Sequence, residues 1–176
     1  MRRLTDADLS ALIELARANA QHLRPFMALG RDGFEEAFAR THFLSKIASW
    51  GSDAEFAYGV WLPSTGSGVL RQAQHDILIG VVSLHGLMFD SRQPELSYWI
   101  DQGHEGRGIV SRVVRALIDA SAGPLGVQAF VITCRTENLR SRAVAERLGF
   151  QPAGTQRRML VTGVSFEEVR YELPVL

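Results

Sequence analysis

One segment past the middle of the chain joins a β-strand pattern to a glycine-rich turn and then to a helix pattern. Residues 98–101 are Tyr-Trp-Ile-Asp, and residues 103–109 are Gly-His-Glu-Gly-Arg-Gly-Ile. After the turn, apolar residues recur at helical spacing, at Val110, Val113, Val114, Leu117 and Ile118. Glycines at such a turn leave backbone N–H groups at the positive end of the helix free to bind an anion, above all a phosphate. The segment therefore predicts a site for a ligand that carries a pyrophosphate.

The glycine pattern alone leaves the identity of the ligand open. The spacing Gly103-x-x-Gly106-x-Gly108 is only loosely related to a dinucleotide-binding motif, and an ordinary strand-to-helix turn is an alternative explanation. A P-loop is excluded because no Lys-Ser or Lys-Thr pair follows the glycines. A Rossmann unit is disfavoured because it belongs near the start of a parallel sheet, whereas this segment lies past the middle of a short chain.

A second strand-and-helix segment follows downstream. Residues 127–134 are apolar and rich in β-branched side chains, as in a buried strand. Asn138 suits the N-cap of the next helix. Gly149 suits the left-handed position after the last turn of that helix, with Phe150 folding back onto it. The predicted inner face of the helix consists of Leu139, Ala143, Val144 and Leu148.

Together, the two segments resemble the Gcn5-related N-acetyltransferase (GNAT) superfamily. The motifs that carry the resemblance are YWID followed by HEGRGIVS, within residues 98–111, and ENLRSRAVAERLGF, at residues 137–150. They are similar to the RimJ/RimL branch of protein N-terminal acetyltransferases, and residues 19–26 resemble the same branch. The resemblance implies a single α+β domain over residues 1–176, in which a mixed β-sheet is splayed in the middle and acyl-CoA is wedged into the gap.

Patterns elsewhere in the chain predict elements that would complete such a fold. Helices are predicted from Thr5 to about Ala20 and from Gly33 to about Trp50. The predicted strands are Glu55–Trp61, Asp76–Leu84, Glu95–Asp101, Gln151–Leu160 and Phe166–Leu173, with a loop at residues 63–68 and a turn around Gly163. Residues 1–4 are at best a short version of the superfamily's usual first strand.

Composition restricts the class of protein further. The 176 residues suffice for one domain with a full-sized core, and the net charge is zero with no long basic run, so a nucleic-acid partner is not expected. Acidic residues follow soon after Arg3, and no apolar run approaches the ~20 residues of a membrane span. We expect a cytoplasmic enzyme without a metal or a membrane partner. Its single cysteine, Cys134, is expected to be a buried structural thiol.

The resemblance also implies which residues hold the cofactor, acetyl-CoA. Backbone N–H groups of Tyr98, Trp99 and Ile100 would hold the pantetheine arm and polarise the thioester carbonyl. Asn138 would cap its helix and would also contact the cofactor or the substrate side of the cleft. The pyrophosphate would lie on the turn and the first helical residues, which are Glu105, Gly106, Arg107, Gly108, Ile109 and Val110, with the Ser111 hydroxyl nearby.

Two of these residues depart from the superfamily pattern. Val110 stands where Gly or Ala is usual, although a bulkier residue is common in the RimJ/RimL branch. Glu105 stands where Gln or Arg is usual. Because this substitution brings a carboxylate close to phosphates, we expect the Glu105 side chain to point away from them.

Two residues are implied as catalytic. Ser141 occupies the position that the RimJ/RimL branch is proposed to use to protonate the leaving thiolate, and a solvent-facing helical serine is the alternative. The tyrosine that many superfamily members use instead is replaced here by Ala145. Glu95 starts the central strand where several Gcn5-like enzymes place a general base, and a solvent-facing carboxylate is the alternative. His85 and His104 are further candidates for the base.

The expected acceptor is a primary amine. An N-terminal α-amine has a pKa near 8 and is partly neutral without any protein base, which favours it over a lysine side chain with a pKa of about 10.4. The leading hypothesis is therefore acetyl transfer from acetyl-CoA to a ribosomal-protein-like N-terminus. The alternatives are a small amine (a polyamine, an amino acid or an antibiotic) and an inactive acyl-CoA-binding module. A homodimer is implied by analogy with the branch.

Acceptor specificity is expected from three parts of the chain. These are the two N-terminal helices, the loop at residues 89–94 and the final hairpin. Residues 22–26 either line the acceptor cleft or merely connect two helices, since Pro25 suits such a connection.

Overall fold

A seven-stranded mixed β-sheet forms the centre of the molecule. The computed structural model describes residues 1–27, 34–50, 55–63, 76–86, 92–159 and 165–175. Its strands are β1 (Arg2–Arg3), β2 (Glu55–Leu62), β3 (Ile77–His85), β4 (Glu95–Ile100), β5 (Ala129–Arg135), β6 (Gln151–Met159) and β7 (Ser165–Pro174). The spatial order is β1-β2-β3-β4-β5-β7-β6.

Helices cover both faces of this sheet. Within the described ranges they are α1 (Leu9–Ala18), α2 (Ala20–Leu23), α3 (Glu36–Ala48), α4 (Ile109–Ser121) and α5 (Leu139–Arg147), with short 3-10 helices at Asp6–Asp8 and Gln102–His104. The predicted helix start at Gly33, most of the loop at 63–68, residues 89–91 and the turn at Gly163 lie outside the described residues. The remaining predicted strands and helices are observed, with ends that differ by a few residues and with one break in the N-terminal helix.

The sheet is splayed between β4 and β5, as the resemblance implies. This pair is parallel, whereas every other pair of neighbouring strands is antiparallel. Its ladder is reduced to one residue pair, Glu95 with Val131, next to a hydrogen bond from Val131 N to Pro94 O of 3.0 Å. Beyond Glu95 the strands diverge, so the second half of β4 faces a gap instead of a neighbouring strand.

Two hydrophobic cores lie on opposite faces of the sheet. The core beneath α4 and α5 contains Phe130 and Tyr171, and the core beneath α1 and α3 contains Phe43. Because side chains alternate along a strand, Tyr98 of β4 packs against the first core and Trp99 belongs to the second. The end of β4 is therefore held from both sides just where the gap opens.

The N-terminal helix is interrupted near its end. Its predicted apolar face is confirmed, since Leu9, Leu12, Ile13 and Ala16 are all buried. The continuous helix to Ala20 is wrong, because α1 ends at Ala18 and α2 begins at Ala20. Asn19 lies between them, and its side chain makes hydrogen bonds with Asp101 and Gln102 that are described below.

Helix α5 differs from its predicted packing at the first turn. Leu139 is 68% exposed and Ala143 is also exposed, whereas Ala145 is fully buried. The predicted inner face is therefore wrong at these two positions, because the start of α5 stands over the gap and only its C-terminal half packs on the sheet. The predicted helix end is confirmed. Gly149 has φ +91°, and Phe150 N donates to Ala145 O at 3.1 Å.

Candidate active site

A cleft of about 640 Å³ opens where β4 and β5 diverge. The predicted site residues that line it are Tyr98, Trp99, Ile100, Glu105, Gly106, Gly108, Ile109, Val110, Ser111, Asn138 and Ser141. His22, Leu23 and Phe26 also line it, so the segment 22–26 contributes to the cleft wall. The structure thus brings together residues from four separate parts of the chain.

The start of α4 has the geometry of an anion site. Gly106 and Gly108 have φ values of +71° and +67°, which residues with a side chain rarely adopt. Gly108 is the N-cap of α4, and no side-chain cap accepts hydrogen bonds from the first helical N–H groups. These N–H groups belong to residues that line the cleft and lie at the positive end of the helix, where an anionic group is favoured.

Arginine side chains surround this turn, and sequence reasoning missed three of them. Arg112, Arg140 and Arg147 line the cleft. Arg147 donates to the Ser111 hydroxyl at 3.2 Å, which fixes that hydroxyl beside the start of α4. Arg107, which was predicted to hold the cofactor, is not a lining residue. Its guanidinium instead donates to the Gly103 carbonyl at 2.9 Å and so fastens the turn.

The Glu105 side chain joins two helices on either side of the turn. One carboxylate oxygen lies 2.8 Å from His22 Nε2 of α2, and the other lies 3.2 Å from Arg140 Nη1 of α5. These partners hold the Glu105 carboxylate while its backbone remains part of the turn. Because Glu105 also lines the cleft, the expectation that its side chain points away from the phosphates stays a prediction.

A second polar network ties the helix break to the end of β4. Asn19, which is 3% exposed, donates to Asp101 Oδ1 at 2.9 Å and accepts from Gln102 N at 2.9 Å. His104 Nδ1 lies 2.7 Å from Asp101 Oδ2. Burial disfavours the ionised Asp101 carboxylate, but the hydrogen bonds from Asn19 and His104 outweigh burial and lower its pKa below the usual value. The network holds the N-terminal helices against the cleft.

Replacing Asp101 with Asn should weaken the protein at neutral pH and flatten its acid dependence. A lowered carboxylate pKa stabilises the folded state above the unfolded-state pKa of about 3.9, and this contribution is lost as the pH falls through the folded-state pKa. We expect Asp101→Asn to lose about 1 kcal/mol of the free energy of unfolding at pH 7 and less at low pH. Urea unfolding over a pH series measures both effects.

Asp119→Asn is the matched control for this prediction. Asp119 is an exposed carboxylate of α4, for which no side-chain partner is found in the described part of the chain. Its replacement should leave the pH series unchanged. If the free energy of unfolding of Asp101→Asn followed the same pH dependence as that of the wild type, the network would have no role in stability.

Ser141 and Asn138 sit at the start of α5, facing the end of β4. Asn138 is confirmed as the N-cap, since its side chain accepts from Ser141 N at 3.1 Å, whereas its contact with a cofactor stays a prediction. The Ser141 hydroxyl lies 3.1 Å from the Tyr98 hydroxyl. Burial raises the pKa of Tyr98 above its usual value, and the hydrogen bond with Ser141 opposes this only in part. Tyr98 is therefore a neutral hydrogen-bond donor at physiological pH.

Cys134 lies on β5 close to the same hydroxyl. The thiol is free and buried, in keeping with the expected structural role. Burial raises its pKa, and the nearby Ser141 hydroxyl opposes the change only in part. A thiol held in its neutral form is a poor nucleophile, which argues against covalent catalysis through Cys134.

Glu95 lies apart from the cleft. It pairs with His85 of β3 and Val131 of β5, and it is not among the lining residues. By strand alternation its side chain shares the face of Trp99, opposite Tyr98 and Ser141. Across the described ranges its side chain has no hydrogen bond or ion pair. The role of Glu95 as a general base stays a prediction, and so does that of His85. His104 lines the cleft, but its role as a base also stays a prediction.

Residues 1–151 match the family model described as the acetyltransferase (GNAT) domain. The chain belongs to the GNAT acetyltransferase family. Among curated relatives, this GNAT chain is 34% identical over 96 residues to the ribosomal-protein-serine acetyltransferase of Escherichia coli K12, a match that covers 54% of each protein. It is 30% identical over 174 residues to the putative ribosomal N-acetyltransferase YdaF of Bacillus subtilis 168, covering 98% of this chain and 89% of that protein.

Solved GNAT structures share the fold. One is the RimL ribosomal L7/L12 α-N-protein acetyltransferase in complex with coenzyme A, with a TM-score of 0.82 and 22% identity, covering 99% of this chain and 92% of that chain. Another is the microcin C7 self-immunity acetyltransferase MccE in complex with acetyl-CoA and AMP, with a TM-score of 0.78 and 22% identity, covering 96% and 88%. At these identities the likeness establishes the fold, which confirms the predicted GNAT architecture.

The described ranges contain neither a metal-binding cluster nor a membrane-spanning helix. No group of three or more His, Cys, Asp or Glu residues there could hold a metal ion. No helix there is long and apolar enough to span a membrane.

Proposed function

We propose that this protein transfers the acetyl group of acetyl-CoA to the N-terminal α-amine of a protein of the ribosomal-protein class. The observation that carries the proposal is the cleft at the β4–β5 splay, with the uncapped glycine turn of α4 at its edge. A strand that lacks a neighbour on one side and a helix start that lacks a cap suit a ligand with an extended amide arm and a pyrophosphate. Acetyl-CoA has both. We further propose that residues 1–176 act as one acetyltransferase domain in the cytoplasm.

The phosphate end of the donor would be held by the turn and by the arginines around it. The pyrophosphate would accept hydrogen bonds from backbone N–H groups between Gly106 and Ser111, the segment of the turn that lines the cleft. Arg112, Arg140 and Arg147 would supply positive charge to its phosphates. The pantetheine arm would pair with the exposed edge of β4 as an additional strand would.

Acetyl transfer then needs no bound metal. The neutral amine nitrogen attacks the thioester carbon, a C–N bond forms, and the C–S bond breaks to release the CoA thiolate. The nitrogen loses one proton to solvent, and the thiolate gains one. The backbone N–H groups of Tyr98 and Ile100 would stabilise the negative charge that develops on the carbonyl oxygen, which is the largest single contribution in comparable reactions. Trp99 was also predicted to take part, but its N–H faces β3, because Trp99 pairs with Val81 and the next residue on that edge, Asp101, donates to Ile79 O.

The acceptor class rests on two lines of support. The relatives at 34% and 30% identity carry names that specify ribosomal-protein acetylation. In addition, Glu95 lies outside the cleft, and an α-amine with a pKa near 8 has a neutral fraction that can react without a protein base. A lysine side chain, with a pKa of about 10.4, would depend on one far more.

A thiol-release assay across a panel of amines tests the proposal. The panel contains peptides with free Ala, Ser or Met N-termini, the same peptides with blocked N-termini, polyamines and aminoglycosides. We expect release of CoA with at least one free peptide and none with its blocked counterpart. Release with polyamines or aminoglycosides alone would replace the protein acceptor with a small amine. If the protein binds acetyl-CoA but releases CoA with none of the amines, the inactive acyl-CoA-binding module would be favoured.

A further inference from the structure

The hydroxyl groups of Tyr98 and Ser141, two residues that line the cleft, form a pair. Their oxygens are 3.1 Å apart, although Tyr98 is on β4 and Ser141 is on α5. Both residues line the cleft, and Tyr98 packs against the core beneath α4 and α5. The phenol is therefore held by packing, while the serine lies on the helix that overhangs the gap.

We propose that Tyr98 is a positioning residue that donates its hydroxyl hydrogen to Ser141 and thereby aims the Ser141 hydrogen at the departing CoA sulfur. The inference rests on the proposed acetyl transfer and deepens it. No proton is passed along the pair in this arrangement. Ser141 stabilises the thiolate by a hydrogen bond, and the thiolate takes its proton from solvent.

The direction of the hydrogen bond follows from the donors and acceptors available. A phenol has one hydrogen, and Tyr98 can give it either to the Ser141 hydroxyl at 3.1 Å or to the Ser141 carbonyl at 3.2 Å. If Ser141 donated to Tyr98, its own hydrogen would be consumed and none would face the cleft. A thiolate in the cleft demands a donor, so it selects the arrangement in which Tyr98 donates and Ser141 passes its hydrogen onward. Successive hydrogen bonds of this kind strengthen one another.

The state of Tyr98 suits this role and excludes that of a proton donor. Burial raises the pKa of the phenol, so it keeps its hydrogen at physiological pH. Such a phenol is a weaker acid than the CoA thiol and would not surrender its proton to the thiolate. Residue 145 is Ala in this chain, whereas many superfamily members have a tyrosine there. Under this proposal Tyr98 supplies a phenol near the sulfur from a different strand.

Tyr98→Phe tests the proposal because it retains the ring and removes only the hydroxyl. We expect kcat for acetyl transfer to fall about tenfold, the effect of one hydrogen bond, with KM for acetyl-CoA changed by less than about twofold. Ser141→Ala should lower kcat at least as much. The double variant should be no slower than Ser141→Ala alone, because the two hydroxyls act as a unit. Multiplied losses in the double variant would overturn the proposal.

Tyr171→Phe is the matched control for a purely structural role. The Tyr171 hydroxyl also anchors α5, since it donates to Glu146 at 2.8 Å and accepts from Arg142 at 3.1 Å. It is not a cleft residue. If Tyr98 served only to anchor α5, Tyr171→Phe would lower kcat to the same extent, and that result would overturn the proposal. We expect Tyr171→Phe to lower the melting temperature and leave kcat near the wild-type value.

A second readout needs no acceptor. The thiol of CoA bound to the protein can be titrated by the ultraviolet absorbance of its thiolate. Because hydrogen bonds to the charged form lower a pKa, Tyr98→Phe should raise the pKa of the bound thiol by about half a unit to one unit. An unchanged thiol pKa would overturn the role of Tyr98. If wild-type protein binds CoA but acetylates no amine, the proposed function fails and this titration still decides the role of Tyr98.

Discussion

Gly108→Asp is expected to abolish CoA binding while the protein stays folded. Asp is a favoured N-cap residue and tolerates left-handed backbone, so it can occupy the φ of +67° found at Gly108. Its carboxylate would accept the N–H hydrogen bonds at the start of α4 that the pyrophosphate needs. It would also repel the phosphates, since like unit charges at about 4 Å repel by about 4 kcal/mol at an effective dielectric constant of 20, or roughly a thousandfold in Kd.

Gly108→Asn separates charge from shape in this experiment. Asn has nearly the same size, caps a helix and tolerates the same backbone, so it carries the steric and conformational effects without the charge. An added Cβ would lie 3.4 Å from Arg112 Nη1, the end of a flexible side chain. Calorimetric titration with CoA should therefore detect binding to the Asn variant and none to the Asp variant. Wild-type affinity in Gly108→Asp would mean that this turn is not the phosphate site.

Gly80→Val is expected to destabilise the protein by about 3 kcal/mol or more, because it overpacks the contact between β3 and β4. A Cβ at Gly80 would lie 2.5 Å from Trp99 O and 3.0 Å from Ile100 Cα, and both are backbone atoms that cannot rotate away. β4 would have to move, and its displaced end carries Tyr98 to Ile100, which line the cleft. Chemical denaturation measures the loss of stability.

Gly123→Ala is the control for the loss of a glycine. No atom lies within 4 Å of a Cβ at Gly123, and its backbone is outside the left-handed region. Ala there should leave stability unchanged or raise it slightly, because it restricts the unfolded chain. If Gly80→Ala and Gly80→Val were both as stable as wild type, Gly80 could not lie as close to the backbone of β4 as the structure places it.

The sequence predicted features that depend on residues close together in the chain. The glycine turn before α4 was predicted from the glycines themselves, and Gly106 and Gly108 do adopt the positive φ values that suit glycine. The end of α5 was predicted for the same reason, through Gly149 and the return of Phe150. Each signal lies within one or two helical turns, a distance over which backbone geometry is determined by local chemistry. The resemblance to the GNAT superfamily then supplied the mixed sheet and its splay, whereas the order of the strands came only from the structure.

The packing of α5 marks where this reasoning fails. Helical periodicity identifies the apolar residues of an amphipathic helix, and it predicted Leu139 and Ala143 as inner residues. In the structure both are exposed: Ala143 lines the cleft that forms where the sheet separates, and Leu139 at the first turn of α5 is 68% exposed without lining it. Periodicity cannot distinguish a residue that faces a core from one that faces a cavity, since both positions are apolar.

Only the tertiary structure decided which polar groups meet. Asn19 reaches Asp101 over 82 residues, His22 reaches Glu105 over 83, and Tyr98 reaches Ser141 over 43. No local pattern encodes these pairs, because they form only after the helices dock on the sheet and β4 separates from β5. The sequence by itself determined that this chain has a glycine turn before α4 and a GNAT fold. The docking of α2 and α5 around the splayed sheet decided which side chains line its cleft.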